Sequence, residues 1–379
     1  MKIPFVKAPL TGNEVSIVTD AINSGYHGGD GPFTKKVHEL IESDFGVGKC
    51  LLTTSCTDAL EMCALLLKAE PGDEVILPSY TFSSTALAFA MHGFKPVFVD
   101  VNEENKNISI ENIEPAVTEK TRAIIVVHYA GVVCDMDPIM QLAEKKGLVV
   151  VEDAAQAVNS KYKGRYAGSI GHLATYSFHA TKSYSCGEGG ALLMNDEKYY
   201  RRAHFLWEKG TDRSLVLAGV KNKYSWVDWG SSFLISDILA ALLYDQLLNR
   251  ESLQSKRKRL GDAYLSLFSE AKIPGLKFLM YPAEIEPNYH AFWIEFEDSV
   301  KREKFISAMG ENGVSAYIGY VPLHTSPKGI EVGSSPSAVL PVTELAGNAL
   351  VRLPFYNMKS VEINYVISTL KRVLEEFPR

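Results

Sequence analysis

The sequence lacks the features that mark a secreted, membrane-spanning or nucleic-acid-binding protein. No apolar run approaches the ~20 residues that span a bilayer, and the amino terminus has no basic segment followed by an apolar core. The formal net charge of −6 leaves no broad basic field for nucleic acid. We therefore expect a cytoplasmic protein whose partners include neither a membrane nor a nucleic acid.

Paired cysteines and dense basic clusters are also scarce. The five cysteines form no CxxC pair and have apolar neighbours, so we expect reduced, packed thiols and no metal site. These cysteines are Cys50, Cys56, Cys63, Cys134 and Cys186. The densest basic run, residues 256–259, lies inside a helical pattern and is expected on a solvated helix face.

What the sequence does contain is an alternation of short β-rich runs with helical stretches between residues 50 and 195. The runs are Leu51–Thr54, Glu74–Pro78, Pro96–Val101, Ala123–His128, Leu148–Asp153, Leu173–Phe178 and Ala191–Met194. Such alternation predicts an α/β fold with a mostly parallel seven-stranded sheet and crossover helices. One of the intervening stretches, Thr57–Lys68, has its apolar residues at helical spacing.

The pattern changes after about residue 236. A long helix is predicted over Ser236–Gly261, followed by scattered elements such as a strand at Tyr289–Phe296 and a helix at Lys301–Glu311. An amphipathic helix, Val361–Phe377, closes the chain. We therefore predict two domains, a large one over residues 1–246 and a smaller α+β domain over residues 247–379.

Two strand ends carry a pair of residues suited to pyridoxal phosphate (PLP). Lys182 follows one β-rich run, and its amine can hold an aldehyde as a Schiff base if it is partly desolvated. Asp153 ends the run before it, and a carboxylate there can keep the pyridine nitrogen protonated. Because parallel strands end at the same sheet edge, we expect both side chains in one site. Lys182 and Asp153 are the predicted catalytic residues.

A phosphate group needs backbone donors and a positive helix end. Ser55, Cys56 and Thr57 lie between a predicted strand and the amino terminus of a helix, which supplies both. The same residues also form an ordinary helix cap. Ser177, five residues before Lys182, can add a hydroxyl, or it can be a satisfied serine at a strand end.

Other residues near strand ends suggest contacts with the cofactor ring. Phe82 is preferred over Tyr80 as the aromatic group that lies over the ring. Gln156 is expected to donate to the phenolic oxygen of PLP, although an amide there can also merely order the loop. His128 is interpreted as structural, and His179 stays ambiguous. The glycine run at residues 28–32 permits close approach of the backbone to a substrate or partner, or is only a turn.

These motifs resemble the DegT/DnrJ/StrS family of PLP-dependent sugar aminotransferases over nearly the whole chain. The stretches that carry the resemblance are Gly29–Thr34, Pro78–Thr85, His128–Gly131, Glu152–Gln156 and Ser177–Lys182. Three further stretches, Glu208–Arg213, Gly230–Phe233 and Tyr320–His324, are similar to the dTDP-4-amino-4,6-dideoxygalactose transaminases within that family.

The resemblance implies a fold type I, aspartate-aminotransferase-like homodimer with active sites at the subunit interface. It implies that Tyr320 and His324 approach a nucleotide sugar and that Lys209 and Arg213 counter its diphosphate; lone surface cations are the alternative. Ser232 stands where many members of the family have an asparagine that contacts the neighbouring subunit's cofactor phosphate.

The activity implied by the resemblance is transfer of the amino group of L-glutamate to the C4 ketone of dTDP-4-dehydro-6-deoxy-D-glucose. The catalytic core is shared by members that act at C3 or on UDP and GDP sugars, so sequence patterns leave the substrate open. A sugar 3-dehydratase is disfavoured, because those relatives carry histidine where this chain has Lys182. A noncatalytic sugar-nucleotide-binding or regulatory protein is disfavoured by the intact set of Asp153, Gln156 and Lys182.

Overall fold

The computed structural model describes residues 1–271, 273–337 and 339–375. The strands, in chain order, are β1 (Lys49–Thr53), β2 (Glu74–Pro78), β3 (Lys95–Val99), β4 (Thr121–Val127), β5 (Val149–Asp153), β6 (Lys161–Tyr162), β7 (Arg165–Tyr166), β8 (Leu173–Ser177), β9 (Gly190–Met194), β10 (Lys277–Phe278), β11 (Ile285–Glu286), β12 (Trp293–Glu295), β13 (Tyr317–Ile318) and β14 (Leu350–Arg352).

The α-helices surround these strands and connect them. In chain order they are α1 (Glu14–Asn23), α2 (Pro32–Phe45), α3 (Cys56–Leu67), α4 (Ser84–Met91), α5 (Ile110–Ile113), α6 (Met136–Lys146), α7 (Tyr200–Trp207), α8 (Arg213–Leu217), α9 (Asp237–Leu248), α10 (Arg250–Ala271), α11 (Ser299–Glu311), α12 (Pro327–Val332), α13 (Pro341–Ala349) and α14 (Ser360–Glu375). No helix in the described ranges combines the length and apolar character that crossing a membrane requires.

The central sheet has seven strands in the order β1-β9-β8-β5-β4-β2-β3. All neighbours from β8 to β3 pair parallel, whereas β9 runs antiparallel to both β1 and β8. The predicted α/β fold with a mostly parallel sheet is therefore confirmed, and each of the seven predicted runs overlaps one of these strands. The carboxyl ends of β4, β5 and β8 meet at one edge of the sheet.

Both faces of this sheet are covered, which explains the uninterrupted apolar runs in its strands. Consecutive residues of one strand enter different cores: Val150 packs into the cluster with α2, α6 and α9, and Val151 packs into the cluster with α3, α4 and α7. Both side chains are fully buried. At about 25 cal/mol per Å² of apolar surface removed from water, this double burial stabilises the sheet that positions the site.

The last third of the chain forms a second, antiparallel sheet in the order β10-β12-β14-β13, packed with α10, α11 and α14. The first residues of the chain join this region. The backbone N–H of Ser315 donates to the carbonyl of Ile3, and Ile3 forms an isolated parallel β-bridge with Val314. The predicted boundary between residues 246 and 247 falls in the last turn of α9 and stays a prediction.

Three local expectations differ from the structure. The helix predicted over Ser236–Gly261 is two helices, because the Asn249 side chain bonds back to the carbonyl of Asp245 and closes α9. The strand predicted over Tyr289–Phe296 is limited to β12, since the carbonyls of Tyr289 and His290 accept hydrogen bonds from the Arg257 side chain instead of from a neighbouring strand. The closing helix begins at Ser360 and is described to Glu375; its predicted end, Phe377, lies outside the described residues.

The basic run 256–259 is not wholly a solvated face, which corrects a further expectation. Arg257 is only 2% exposed and donates to the backbone carbonyls of Tyr289 and His290. Its guanidinium also lies 4.9 Å from the centre of the Phe355 ring. Consecutive residues of a helix point around the axis, so one member of a charged run can face the core while Lys258 and Arg259 stay exposed.

Candidate active site

A cavity of about 540 Å³ opens at the carboxyl edge of the parallel strands. Nine of the residues predicted for the site line it: Ser55, Cys56, Thr57, Phe82, Asp153, Gln156, Ser177, Lys182 and Tyr320. They come from five separate segments of the chain, so the tertiary fold brings them together. Their chemical roles stay predictions.

Lys182 lies just beyond β8, in a turn where its backbone N–H donates to the carbonyl of His179. Burial lowers the pKa of its amine below the ordinary value of 10.5, and Arg352 acts in the same direction. The thiol of Cys56 and the carboxylate of Asp153 oppose this effect without cancelling it. A lysine with a lowered pKa has a larger neutral fraction and is a better nucleophile.

Asp153 is the last residue of β5 and is 5% exposed. Its Oδ2 accepts a hydrogen bond of 2.7 Å from Thr85, and its Oδ1 accepts one of 3.2 Å from the backbone of Ala155. Thr85 is in turn 2.9 Å from the hydroxyl of Thr81. This hydroxyl chain fixes the carboxylate in one orientation at the wall of the cavity.

The neighbouring carboxylate, Glu152, points to the other side of the strand and stabilises the fold. It accepts hydrogen bonds from His128 Nε2 and from the backbone N–H groups of Gly168, Ile170 and Gly171. Burial acts to raise the pKa of Glu152, but the His128 contact and these backbone bonds hold it below its ordinary value. The backbone of Cys134 donates to Nδ1 of the same ring, so the structural interpretation of His128 agrees with the geometry.

The amino terminus of α3 reaches the cavity through Ser55, Cys56 and Thr57. Ser55 caps the helix by accepting from the backbone of Asp58 at 3.1 Å, which makes the ordinary cap a real role of this residue. The first-turn N–H groups have no partner within the helix and can serve an anion. Strand β9 passes close by: a Cβ on Gly190 would collide with the backbone of Ser55 and Cys56. This close approach of two backbone segments therefore requires glycine at position 190.

Gln156 has a fixed amide orientation. Its Oε1 accepts from the backbone N–H of Ala130 at 2.9 Å, so its Nε2 must be the donor that reaches Tyr320 OH at 2.9 Å. The amide thus presents N–H groups toward the cavity. This orientation is the one that a donor to a phenolic oxygen needs, and the bond to Ala130 also orders the loop.

The aromatic wall includes Phe82, which lines the cavity and is 59% exposed. Its ring centre is 6.2 Å from that of Tyr320. Tyr80 is fully buried behind this wall, with its ring 5.8 Å from Tyr320. Phe82 therefore faces the cavity and Tyr80 does not, and the expectation that Phe82 lies over the cofactor ring stays a prediction. His179 also lines the cavity, 3.5 Å from Glu188.

Four predicted residues lie outside the cavity of their own chain. Arg213 and Lys209 face the buried carboxylate of Glu208, at 2.8 and 3.8 Å. Ser232 forms an antiparallel bridge with Glu208 on the same segment. His324 is 2.7 Å from Ser79 Oγ and 3.4 Å from Glu344 instead of lining the cavity. Their contacts with a substrate or with a neighbouring cofactor stay predictions.

The glycine run near residue 30 lies away from the cavity and has a packing explanation. A Cβ on Gly29 would collide with Leu234, and one on Gly31 would collide with the carboxylate of Asp237. Asp237 is fully buried and accepts from the backbone of Phe33 at 3.1 Å, which caps the start of α2. Close packing of this loop against Leu234 and the start of α9 therefore requires Gly29 and Gly31.

The cavity residues that were not predicted include Thr85, His290 and Arg352. Thr85 belongs to Pro78–Thr85, one of the stretches that resemble the family. Its position after a strand end could therefore have indicated a residue of the site. His290 and Arg352 come from the last third of the chain, where no sequence pattern points to the site. Burial, together with Lys182, Arg257 and Arg352, holds the pKa of His290 well below its ordinary value, so this ring is neutral.

The cavity fits PLP. An amine of lowered pKa, an oriented carboxylate, an amide donor and the amino terminus of α3 are the groups that the aldehyde, the ring nitrogen, the phenolic oxygen and the phosphate require. The fold and these groups define the class of fold type I, PLP-dependent aminotransferases.

Comparison with known proteins identifies the family. Residues 10–371 match the DegT/DnrJ/EryC1/StrS aminotransferase family, and this chain belongs to it. A spore coat polysaccharide biosynthesis protein of Bacillus subtilis is 31% identical over 97% of this chain and 96% of its own length. A pleiotropic regulatory protein of Geobacillus stearothermophilus is 33% identical over 85% of this chain and 84% of its own.

A solved structure agrees with both the fold and the cofactor. The PLP form of a Streptococcus pneumoniae protein assigned as a sugar aminotransferase superposes with a TM-score of 0.90. It is 28% identical, and the match covers 99% of each chain. The predicted cofactor, pyridoxal phosphate, is therefore confirmed for the family.

Proposed function

We propose that this protein is a nucleotide-sugar aminotransferase that moves the amino group of L-glutamate to the C4 ketone of dTDP-4-dehydro-6-deoxy-D-glucose. The product is dTDP-4-amino-4,6-dideoxy-D-galactose. The observation that carries the aminotransfer is the convergence of Lys182, Asp153 and Gln156 on one cavity. A relative in polysaccharide biosynthesis and a neighbour assigned as a sugar aminotransferase support a sugar acceptor. The choice of C4 and dTDP rests on the resemblance of residues 208–213, 230–233 and 320–324.

Bound PLP supplies an aldehyde that takes up the donor amine and a ring that accepts electron density from the reacting carbon. Lys182 Nζ accepts the proton that leaves Cα of glutamate and, in the second half-reaction, delivers a proton to C4 of the sugar. The lowered pKa of Lys182 favours the neutral amine that the first step needs. Asp153, oriented by Thr85, keeps a proton on the ring nitrogen. Gln156 Nε2 donates toward the phenolic oxygen.

We also propose that two copies of the chain share their active sites. Lys209, Arg213 and Ser232 lie outside the cavity of their own chain, so a role near a substrate requires a second copy. The segment between Arg213 and Ser232 exposes large apolar side chains, with Trp226 76% and Trp229 73% exposed. An exposed apolar segment of this kind favours burial in an interface.

The test is an assay of the purified, PLP-loaded protein with L-glutamate and dTDP-4-keto-6-deoxyglucose. Position and configuration of the new amine are read by NMR. A C4 amine of galacto configuration is expected. If glutamate converts the cofactor to its pyridoxamine form but no sugar product appears, the aminotransferase assignment stands and the acceptor is wrong; UDP and GDP keto sugars and 3-keto sugars are then tested.

A noncatalytic regulatory protein is the second candidate, because one relative is described as a pleiotropic regulatory protein. Such a protein needs no nucleophilic amine. The buried, pKa-lowered amine of Lys182 beside the fixed carboxylate of Asp153 therefore disfavours it. Protein that takes up PLP and yet leaves it unchanged with every amino acid tested would favour the regulatory function.

A further inference from the structure

A loop in the last third of the chain is tied to the end of β2 through one serine. Ser79 follows β2 directly and is fully buried. Its carbonyl accepts a hydrogen bond of 3.0 Å from the backbone N–H of Leu323, and its Oγ accepts one of 3.0 Å from the backbone N–H of His324. Nδ1 of the His324 ring lies 2.7 Å from the same Oγ. A single residue at the edge of the central sheet thus holds the loop by its backbone and by its side chain.

The pattern of these hydrogen bonds decides where the protons lie. Ser79 Oγ already accepts from the backbone of His324, and among the described residues Nδ1 is the acceptor that is left for its own hydrogen. The hydroxyl therefore donates to Nδ1, and the ring proton of His324 lies on Nε2. Nε2 faces Oε1 of Glu344 at 3.4 Å. The His324 side chain is 8% exposed, so water competes little for these contacts.

The loop that is held in this way carries Tyr320 into the cavity. Tyr320 lies two residues after β13, which pairs with β14, and three residues before Leu323. The chain is therefore fixed on both sides of it. The Tyr320 hydroxyl accepts from Gln156 Nε2 at 2.9 Å, and its ring centre is 6.2 Å from that of Phe82. Phe82 follows Ser79 by three residues, so the same serine connects two segments that line the cavity.

His324 lies outside the cavity, and both of its ring nitrogens face protein groups. Nδ1 accepts from Ser79, and Nε2 points to Glu344. Neither nitrogen is therefore directed at a substrate in the cavity. An effect of His324 on the reaction has to pass through another residue, and the nearest cavity residue on its own loop is Tyr320.

We propose that His324 and Ser79 are positioning residues, which hold the loop that places the Tyr320 hydroxyl against Gln156. The inference rests on the proposed nucleotide-sugar aminotransferase function, and it gives His324 an indirect role in place of a direct contact with the sugar. A side chain that is fixed before the substrate arrives loses less conformational entropy on binding. Without the bonds to Ser79, Tyr320 is held by β13 on one side alone.

The first test is hydrogen exchange of the PLP-loaded protein, read by mass spectrometry over residues 319–326. His324→Leu and Ser79→Ala should each raise the exchange rate of this segment about tenfold, because its amides lose acceptors or the support of the ring. His324→Asn keeps an acceptor near the position of Nδ1 and should recover most of the protection.

A matched control accompanies the exchange measurement. His92→Leu removes a histidine that lies 3.7 Å from Glu61 outside the cavity, and it should leave the segment unchanged. Melting temperatures and cofactor absorbance of all variants are compared with the wild type. Should His324→Leu fail to fold, Ser79→Ala and His324→Asn carry the same comparison, because one loses the bonds of the hydroxyl and the other keeps them.

The second test is kinetic and uses the pyridoxamine form with dTDP-4-keto-6-deoxyglucose. His324→Leu should raise the half-saturating concentration of the sugar about tenfold, the loss expected for one hydrogen bond, and should change the limiting rate less than about threefold. Tyr320→Phe should have a similar effect. The double variant should be within about twofold of Tyr320→Phe alone, because the hydroxyl that His324 positions is already absent.

Three results would overturn the inference. Additive losses in the double variant mean that His324 acts on the sugar without Tyr320. Unchanged sugar saturation in His324→Leu, together with faster exchange, means that the tie to Ser79 is structural alone. If the wild-type protein does not aminate the dTDP sugar, the proposed acceptor fails and hydrogen exchange decides separately: faster exchange in both variants supports the anchoring of Tyr320, and unchanged exchange removes it.

Discussion

The carboxyl edge of the sheet and the segment 208–232 were both expected to hold site residues, and they turned out differently. At the sheet edge, Asp153, Lys182 and Gln156 come together in one cavity. On the segment, Lys209 and Arg213 face Glu208, and Ser232 bridges to it. The difference teaches that the position of a side chain at a strand end is well determined, because packing of the whole core sets the register of the sheet. In a connecting segment, the position of a side chain depends on the contacts of that segment.

The largest effect is expected from removing the amine of Lys182 at the sheet edge. Lys182→Ala is expected to lower turnover by about 10³-fold or more, since the anchor and the proton carrier are lost together. The visible absorbance of the bound cofactor should disappear as well. Lys209→Ala, which changes a lysine outside the cavity, should keep that absorbance. Normal turnover of Lys182→Ala would sink the assignment of the active site.

Glu152 and Asp153, the two adjacent carboxylates of β5, are expected to have different roles: Asp153 acts in catalysis and Glu152 stabilises the fold. Asp153→Asn should lower kcat by about 10²-fold with little change in stability, because it weakens a preorganised charge at the cofactor. Glu152→Gln should instead lower the free energy of unfolding by about 3 kcal/mol, because it disturbs a buried ionic network. Steady-state kinetics and urea unfolding distinguish them. Equal effects of the two substitutions on both measurements contradict the division of roles.

Glu152 also predicts a pH dependence of stability. Its pKa in the folded protein lies below the ordinary value of 4.5, so the folded state favours the ionised form. That contribution is complete above about pH 4.5 and is lost as the pH falls through the lowered pKa. Urea unfolding between pH 7 and pH 3 should show a steeper loss for the wild type than for Glu152→Gln. Parallel curves would assign the acid sensitivity to other carboxylates.

The hydroxyl that orients Asp153 should have a smaller effect. Thr85→Val keeps the shape of the side chain and removes the 2.7 Å bond to Oδ2, so kcat should fall about tenfold. Thr85→Ser keeps the hydroxyl and should keep most of the activity. If the serine variant is as slow as the valine variant, the methyl group matters and the bond to Asp153 does not.

The segment 208–232 is tested by mixing two inactive variants. If sites are shared between copies, Arg213→Ala damages the partner's site while Lys182→Ala damages its own. Mixed dimers then contain one intact site, and an equal mixture should recover about a quarter of the wild-type activity. Activity after mixing that equals the mean of the two separate variants means that each chain supplies its own complete site.

Much of the large sheet was predictable, for a physical reason. Buried parallel strands need continuous apolar runs, and those runs are visible in the sequence. Boundaries failed where a single side chain decided them, as Asn249 did by ending α9. The buried position of Arg257 was also missed, because its partners are backbone carbonyls more than thirty residues away.

The sequence by itself determined the fold class, the family and the set of strand-end residues that can hold PLP. The alternation of β-rich and helical runs implies a mostly parallel sheet, and parallel strands end at one edge, which places Asp153 and Lys182 together. The strand order itself came from the tertiary structure. Only the tertiary structure decided that Thr85 fixes the carboxylate, that Gln156 presents its N–H groups, and that Arg352 enters the cavity. Those outcomes depend on contacts between segments far apart in the chain, which no local pattern encodes.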